Sequence, residues 1–418
     1  MTLRSDQAKL ADLQKVLAIT RTMAAAIDLN DLLALVIERS MELLDAERAT
    51  LFLYDPARKE LVSRIAAGAD EIRIPADKGI AGAAAQQNRI INVPDAYADP
   101  RFNPDVDKRT GFRTRAILAI PLRDFEDQLV GVLQVLNKRQ GAFEDYDIAL
   151  AQTLAAQAGV AIQRANLIEH YVRKQQMERA MKLAREIQQN LLPRSAPTVE
   201  GFDIAGFCLP ADETGGDTYD FLPLSDGRLM TVVADATGHG IGPALVIAET
   251  RAMLRSVSLR SQDAAVVLET VNNLLTADLD GGRFVTCFLG LLNPRQGSLS
   301  FASAGHGPLL FYSADDDCFE ELPATGLPLG IMDQADFGPP LERRLRRGDL
   351  AIITTDGFFE AVNADGESFG IPRLCELIRR HRDQPAATLI ETLHTAVKAF
   401  AAGEPQADDL TAVILRRI

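Results

Sequence analysis

Apolar residues along the first third of the chain change period twice. Over residues 1–28 they fall at helical spacing (Leu10, Leu13, Leu17, Met23), and Leu32, Leu33, Val36 and Met41 repeat the same steps over Leu29–Leu44, so two helices are predicted. Strand-like runs follow at Ala49–Tyr54 and Leu61–Ala66. Ala116–Leu122 and Leu129–Leu136, separated by the polar segment Asp124–Gln128, read as a strand pair with its turn. Another helix begins at Glu144. Helices, strands and a closing helix over roughly 150 residues predict a sheet flanked by helices.

The helix from Glu144 does not stop where that domain should end. No Gly or Pro occurs between Gly159 and Pro193. Leu150, Leu154, Ala158, Ala161, Ala165, Ile168 and Val172 fall in near-heptad steps. The phase slips at Gln175 and Gln176, then resumes at Met177, Ala180, Ala184, Ile187 and Leu191. The pattern predicts a coiled coil with a stutter, in a parallel homodimer. The alternative is one linker helix packed on its own domains.

From Pro193 onward, strand-like runs (Leu229–Ala234, Phe284–Leu292, Leu309–Tyr312, Leu350–Thr354, Ala412–Leu415) alternate with loops rich in Asp and Gly. Helical stretches are expected at Pro243–Ser256, Ala264–Ala277, Ile371–Arg380 and Ala386–Ala401. Sheets covered by helices on two sides account for this order.

Composition narrows the function classes. A length of 418 residues accommodates two or three domains, and 47% hydrophobic with 24% charged residues is a globular balance. The net charge of -14 argues against a nucleic-acid partner, which requires a basic stripe. Cys208, Cys287, Cys318 and Cys375 form no zinc-type spacing and read as free thiols of a reducing compartment. Met1–Leu17 lacks the apolar run of a signal peptide, and no stretch predicts a membrane span, so a cytoplasmic location is expected.

The chemistry-bearing pattern lies in the last half. Gly215-Gly216-Asp217, Asp235-Ala236-Thr237-Gly238-His239-Gly240, Asp356-Gly357 and Asp408-Asp409-Leu410-Thr411 each adjoin an apolar strand-like run. Short carboxylates at strand ends make a rigid oxygen-only donor set, suited to Mg²⁺ or Mn²⁺ and to hydrolysis of a phosphate ester. Asp226-Gly227 and Asp365-Gly366 read as ordinary turns.

The segments ETGGDTYDF (213–221), ADATGHGIGPAL (234–245), SAGHGPLLFY (303–312), TGLPLGI (325–331), GDLAIITTDGFFEA (348–361) and DDLTAVIL (408–415) resemble the SpoIIE-like bacterial branch of the protein phosphatase 2C family, and AREIQQNLLP (184–193) resembles its entry segment. The resemblance implies an α-β-β-α sandwich holding two Mg²⁺ or Mn²⁺ ions. It implies that Asp235 bridges both metals and that Ala236 offers its backbone carbonyl. Asp217 would lie near the first metal, Asp356 and Asp408 would bind the second, and Asp409 would support them. Asp235, Asp356 and Asp408 are thereby the catalytic candidates. Where the eukaryotic branch has a His two residues after the bridging Asp, this chain has Thr237. His239 is a candidate general acid or a loop residue, with a metal-bound water as the acid in the second case; His306 is expected to hold a turn. The implied activity is that of a protein serine/threonine phosphatase, acting on a phosphoserine or phosphothreonine of a STAS-domain protein that antagonises an anti-sigma factor. The alternative is a pseudo-phosphatase that binds a partner under control of the N-terminal domain.

Residues 79–122 and 129–147 resemble a GAF domain, in particular those of cyclic-nucleotide phosphodiesterases and adenylyl cyclases. Asn137, Lys138, Phe143 and Asp147 match that subset's motif, whose final Glu is here Ile148. Lys138 and Asp147 are expected to pair and staple a strand to the next helix. Asn92, Asp95, Arg113 and Thr114 are the candidate ligand-lining residues. No Cys or His precedes His170, which argues against a linked bilin or a His-ligated haem. A cyclic nucleotide, another small molecule, a protein partner or no ligand remain. The expected α+β architecture is a helix at 1–19, a GAF sensor with an antiparallel sheet flanked by helices at 20–165, a coiled-coil linker at 166–192 and the phosphatase sandwich at 193–418. Ligand binding would act through the linker helix.

Overall fold

The computed structural model describes residues 6–65, 72–279 and 282–418. The chain divides into two compact units, Met1–Gln176 and Met177–Ile418. Residues 1–5 of the expected N-terminal helix and Ala66 of an expected strand lie outside the described residues.

In the N-terminal unit, α1 (Asp6–Ala25) and α2 (Leu29–Leu43) are separated by Asp28, whose carboxylate caps α2 by accepting from the Asn30 and Asp31 amides. Of the apolar positions read along α1, Met23 is buried but Leu10, Leu13 and Leu17 are exposed; Val16 and Ile19 take the core side. Next come β1 (Ala46–Asp55), β2 (Glu60–Ile65), β3 (Ile72–Pro75), α3 (Gly79–Gln87), β4 (Ile91–Val93), α4 (Asp105–Thr110), β5 (Ile117–Arg123) and β6 (Leu129–Lys138). They form one six-stranded antiparallel sheet in the order β3-β2-β1-β6-β5-β4.

Both faces of this sheet are covered, which is why β5 and β6 read as nearly continuous apolar runs. Leu118, Ile120, Leu133 and Val135 pack with α1, α2 and the start of α5 (Asp145–Leu191), whereas Ile117, Ala119 and Val132 pack with α3. The helix α5 lies hard on the sheet at Gly159, where a Cβ would fall 1.9 Å from the Arg123 carbonyl oxygen.

That packing corrects part of the coiled-coil expectation. Leu150, Leu154, Ala158, Ala161 and Ala165 are buried in the core of the N-terminal unit itself. Periodicity marks an apolar face without saying what covers it. Past Ala165, the seam positions Val172, Met177 and Ile187 are exposed.

The C-terminal unit contains β7 (Phe202–Leu209), β8 (Asp217–Pro223), β9 (Leu229–Ala236), α6 (Ile241–Ser258), α7 (Ala264–Asp278), β10 (Val285–Asn293), β11 (Ser298–Ala304), β12 (Leu309–Ser313), β13 (Cys318–Leu322), β14 (Leu341–Arg344), β15 (Leu350–Thr354), α8 (Gly357–Glu360), α9 (Ile371–His381), α10 (Ala386–Ala401) and β16 (Leu410–Arg417). Two five-stranded sheets form, β14-β11-β10-β9-β8 and β13-β12-β15-β16-β7. Tyr219, Val233, Phe288 and Phe301 of the first meet Ile204, Phe311, Ile353 and Val413 of the second in the central core. Helices α6 and α7 cover the outer face of one sheet, and α8, α9 and α10 that of the other. The layers are therefore α-β-β-α.

Candidate metal centre and active site

Strand register brings the first two carboxylates together. Asp217 opens β8 and Asp235 is the penultimate residue of β9, and the two are direct antiparallel partners. Directly opposed residues share a face, so their side chains meet. Asp217 is buried, and its carboxyl donates a hydrogen bond that favours the charged form of Asp235. Its second link is to Thr355, whose hydroxyl donates to Asp217 Oδ2 at 2.8 Å.

Asp356 and Asp408 arrive from the other sheet. Asp356 follows β15 at the start of the short helix α8, which its side chain does not cap, and Asp408 precedes β16, the antiparallel neighbour of β15. Both are close enough to act on Asp235. Burial first, then the charges of Asp356 and Asp408, push the Asp235 carboxyl up to about 7. Asp217 is raised by burial and by the charges of Asp235 and Asp409, and Asp356 by burial and then by Asp408 and Glu360. The charges that act most on these groups are all negative, so the protein's own side chains leave the array unbalanced.

Asp409 has a different task. Its buried carboxylate accepts from the Ala211 amide at 2.7 Å and the Asp217 amide at 3.2 Å, wrapping the 211–217 loop around it. Gly215 is pressed so closely on this group that a Cβ would fall 2.3 Å from Asp409 Oδ2. Gly216 O then accepts from the Ala236 amide at 2.9 Å, fixing the backbone beside the Ala236 carbonyl.

The donors fit hard divalent cations by their chemistry: carboxylates from four chain segments, Asp217 buried, Asp235 and Asp356 half-buried and Asp408 exposed, with no positive partner among the groups that shift the first three. Among the described residues, no three His, Cys, Asp or Glu side chains are already closed on one metal-binding point. The array is convergent rather than a finished cage.

His239 lies at the surface, its Nδ1 2.9 Å from Asp212 Oδ2, with 77% of its side chain exposed. His306 is buried; its Nδ1 lies 3.1 Å from Thr286 Oγ1, its carbonyl accepts from Ser303 Oγ, and burial lowers the imidazole pKa to about 4. Thr286 is the β10 partner of Asp235, so His306 sits beneath the acidic array as a neutral packing residue. Sequence reasoning missed Thr355 and also Gln188, whose side-chain amide donates to Gly215 O and accepts from the Gly215 amide; the signals were the residue before Asp356 and a Gln within the entry segment.

In the N-terminal unit, Asn137 makes four side-chain hydrogen bonds. Its Oδ1 accepts from the Arg115 and Ala116 amides, and its Nδ2 donates to Arg113 O and Glu47 Oε2. Lys138 and Asp147 form the expected buried ion pair, and Asp147 also accepts from the Glu144 amide. The candidate lining residues separate into two places. Asn92 Nδ2 donates to Phe143 O at 2.9 Å, while Asp95 caps the turn at Tyr97. Thr114 is buried and bonds Asp107 through both its amide and its hydroxyl; Asp107 also accepts from Tyr97 Oη, and the Arg113 guanidinium lies over the Tyr97 ring. Asp95, Arg113 and Thr114 are thus gathered around Tyr97 and Asp107, and Asn92 stands apart.

Among the described residues, no helix is long and apolar enough to cross a membrane. Residues 225–418 match the family described as stage II sporulation protein E (SpoIIE), and residues 28–162 match the GAF domain. The phosphoserine phosphatase RsbU of Bacillus subtilis is 28% identical over 244 residues, which is 58% of this chain and 72% of that protein. The cGMP-specific 3',5'-cyclic phosphodiesterase of Drosophila melanogaster is 34% identical over 193 residues, 41% of this chain but 17% of that protein. The SiaA-PP2C domain of Pseudomonas aeruginosa shares the fold, with a TM-score of 0.53, 24% identity, and coverage of 58% of this chain and 98% of that one. The chain therefore carries a GAF domain followed by a SpoIIE-type domain of the PP2C phosphatase fold, with the long helix α5 running between them.

Proposed function

We propose that this protein is a metal-dependent protein serine/threonine phosphatase whose catalytic domain is regulated by its GAF domain. The observation that carries the reading is the in-register pair Asp217 and Asp235, joined by Asp356 and Asp408 from the opposite sheet, with the Asp235 carboxyl pushed up to about 7 by burial and then by the charges of Asp356 and Asp408. Asp217, Asp235 and the Ala236 carbonyl would hold one Mg²⁺ or Mn²⁺, and Asp235, Asp356 and Asp408 a second. When bound, these ions would neutralise phosphoryl charge and make a water more acidic. The Thr355 hydroxyl keeps the Asp217 carboxylate aimed into the array, and Asp409 keeps the 211–217 loop folded against it. His239, paired with Asp212 at the surface, is kept as the candidate general acid.

The substrate proposed is a phosphoserine or phosphothreonine protein of the STAS type, in line with the phosphoserine phosphatase among the relatives. The GAF domain is proposed to take a small molecule, with a cyclic nucleotide as the first probe, and to act through α5. A homodimer would use the exposed positions Val172, Met177 and Ile187. Release of inorganic phosphate from a phosphorylated STAS domain and from a phosphoserine peptide, with and without Mn²⁺, tests the activity. Release should require Mn²⁺ and vanish in Asp235→Asn. Equal release by that variant would refute the assignment, and partner binding without any release would favour the pseudo-phosphatase.

A further inference from the structure

The first turn of α6 begins beside a proposed metal donor. A Cβ placed on Gly216 would lie 2.5 Å from the Ala236 carbonyl oxygen and 3.4 Å from Pro243 Cβ, and Pro243 is buried in that turn. The opposite face of the turn projects outwards. Ile241 and Leu245, four positions apart and therefore on one face, are 43% and 66% exposed. The segment entering β10 is held against the same turn. The Thr237 amide donates to Phe284 O at 3.0 Å, and the Phe284 amide donates to Thr237 Oγ1 at 3.2 Å. That staple carries Arg283 to Gly242, where a Cβ would lie 3.6 Å from Arg283 Nη2. Arg283 is exposed and, among the described residues, has no ion-pair partner.

Neither the metal chemistry nor the core accounts for these three side chains. None is a proposed donor, and none belongs to the core beneath α6. A protein substrate would meet them. A standard protein–protein contact covers about 800 Å² of each partner, a disc roughly 16 Å in radius. Centred on the metal array, such a disc takes in the first two turns of α6. The charge pattern points to how that partner is held. The chain carries a net charge of -14, and Asp212, Glu213 and Asp408 are exposed around the array. A phosphoprotein gains no general attraction from that surface. Apolar contact is indifferent to it, and Arg283 offers one attractive point for a carboxylate. Two apolar side chains supply far less area than a stable dimer needs, but they suit a substrate that leaves after each turnover.

We propose that Ile241 and Leu245 on α6, with Arg283, form the docking surface for the phosphoprotein substrate. The substrate presents an apolar and an acidic side chain next to its phosphoserine or phosphothreonine. The proposal rests on the phosphatase reading above. It separates recognition from chemistry, because a small phosphate ester reaches the metal array without touching this rim.

The test uses the full-length protein at saturating Mn²⁺ and compares kcat/KM for a phosphorylated STAS domain with kcat/KM for p-nitrophenyl phosphate. Leu245→Asp and Arg283→Glu are measured beside Leu259→Asp, whose side chain is 87% exposed at the far end of α6. The ratio of the two constants should fall at least about tenfold in Leu245→Asp and in Arg283→Glu, as on loss of a central interface residue, and stay at the wild-type value in Leu259→Asp. A wild-type ratio in either of the first two overturns the proposal, whether both substrates slow together or neither does; turnover of p-nitrophenyl phosphate by wild type then leaves the phosphatase reading standing. If Leu245→Asp lowers the molecular mass read by light scattering, the face joins two copies of the chain and the proposal falls. If wild type turns over p-nitrophenyl phosphate but not the STAS domain, the proposed substrate and its docking surface fall together. If wild type turns over neither, the phosphatase reading falls and this proposal with it.

Discussion

Thr355→Val removes one hydroxyl and leaves the side-chain volume almost unchanged. Thr355 is only 2% exposed. Its hydroxyl donates to Asp217 Oδ2 at 2.8 Å and accepts from the Thr411 amide at 3.0 Å. Two losses follow from one substitution. A hydrogen bond to a charged group contributes about 1.5–3 kcal/mol, and a stranded buried amide costs about 1–3 kcal/mol. The second loss applies because water cannot easily replace the hydroxyl at a site this deep. The two act on one residue and do not add in full, so a destabilisation of about 3–5 kcal/mol is expected. Asp217 also loses a bond that favours its charged form, so its pKa, already raised, rises further.

Native-state amide exchange of the full-length protein, followed at β15 and β16, reads the stability of the C-terminal unit without assuming that the whole chain unfolds in one step. Thr355→Ser retains the hydroxyl and should lose only a methyl group's packing, about 1 kcal/mol. The reasoning is refuted if the Val variant stays within about 1 kcal/mol of wild type, a smaller loss than either hydrogen-bond term predicts.

Three further outcomes are expected. Lys138→Met leaves Asp147 buried with only the Glu144 amide for company, so the N-terminal unit should lose about 3 kcal/mol or more; adding Asp147→Leu should recover much of that in thermal melts, and a double variant no better than the single one would contradict it. His306, with its pKa lowered to about 4 by burial, binds its proton more weakly folded than unfolded, so its contribution is present above about 6.5 and is lost as pH falls towards 4; His306→Asn should flatten the acid limb of the stability profile, and parallel limbs would count against it. Asp235 has the opposite sign: its raised pKa of about 7 means that stability present at low pH is lost as pH climbs from the unfolded value of about 3.9. In the metal-free protein, Asp235→Asn should therefore gain on wild type in melting temperature between pH 4 and 8, and a constant difference across that range would show that Asp235 is not strained by its neighbours.

The four acidic motifs were legible because each sits at the end of an apolar run, and the strand ends β8, β9, β15 and β16 are where the carboxylates converge. The sandwich was also legible in outline, since β9, β10, β12, β15 and β16 are strongly apolar. Strands β7, β8, β11, β13 and β14 were not singled out. In β14, Leu341 is flanked by Glu342, Arg343 and Arg344, so an edge strand reads as a polar loop. What no local pattern carries is pairing across the chain. Thr355 meets Asp217 over 138 positions and Gln188 meets Gly215 over 27, and neither contact alters hydrophobic periodicity.

The long helix shows the same limit from the other side. Leu150 to Val172 repeat as one uninterrupted seam in the sequence, yet Leu150, Leu154, Ala158, Ala161 and Ala165 close the sheet of the GAF domain, while Val172 is exposed. The face is continuous but its partner is not. An apolar stripe therefore argues for self-association only where the chain's own core has stopped using it. On α5 that begins after Ala165: Val172 is already exposed before the Gln175–Gln176 slip, and Met177 and Ile187 are exposed after it. A helix face made for a sheet therefore gives way to one available to a second helix ahead of the slip, and the two polar residues divide the exposed stretch rather than begin it.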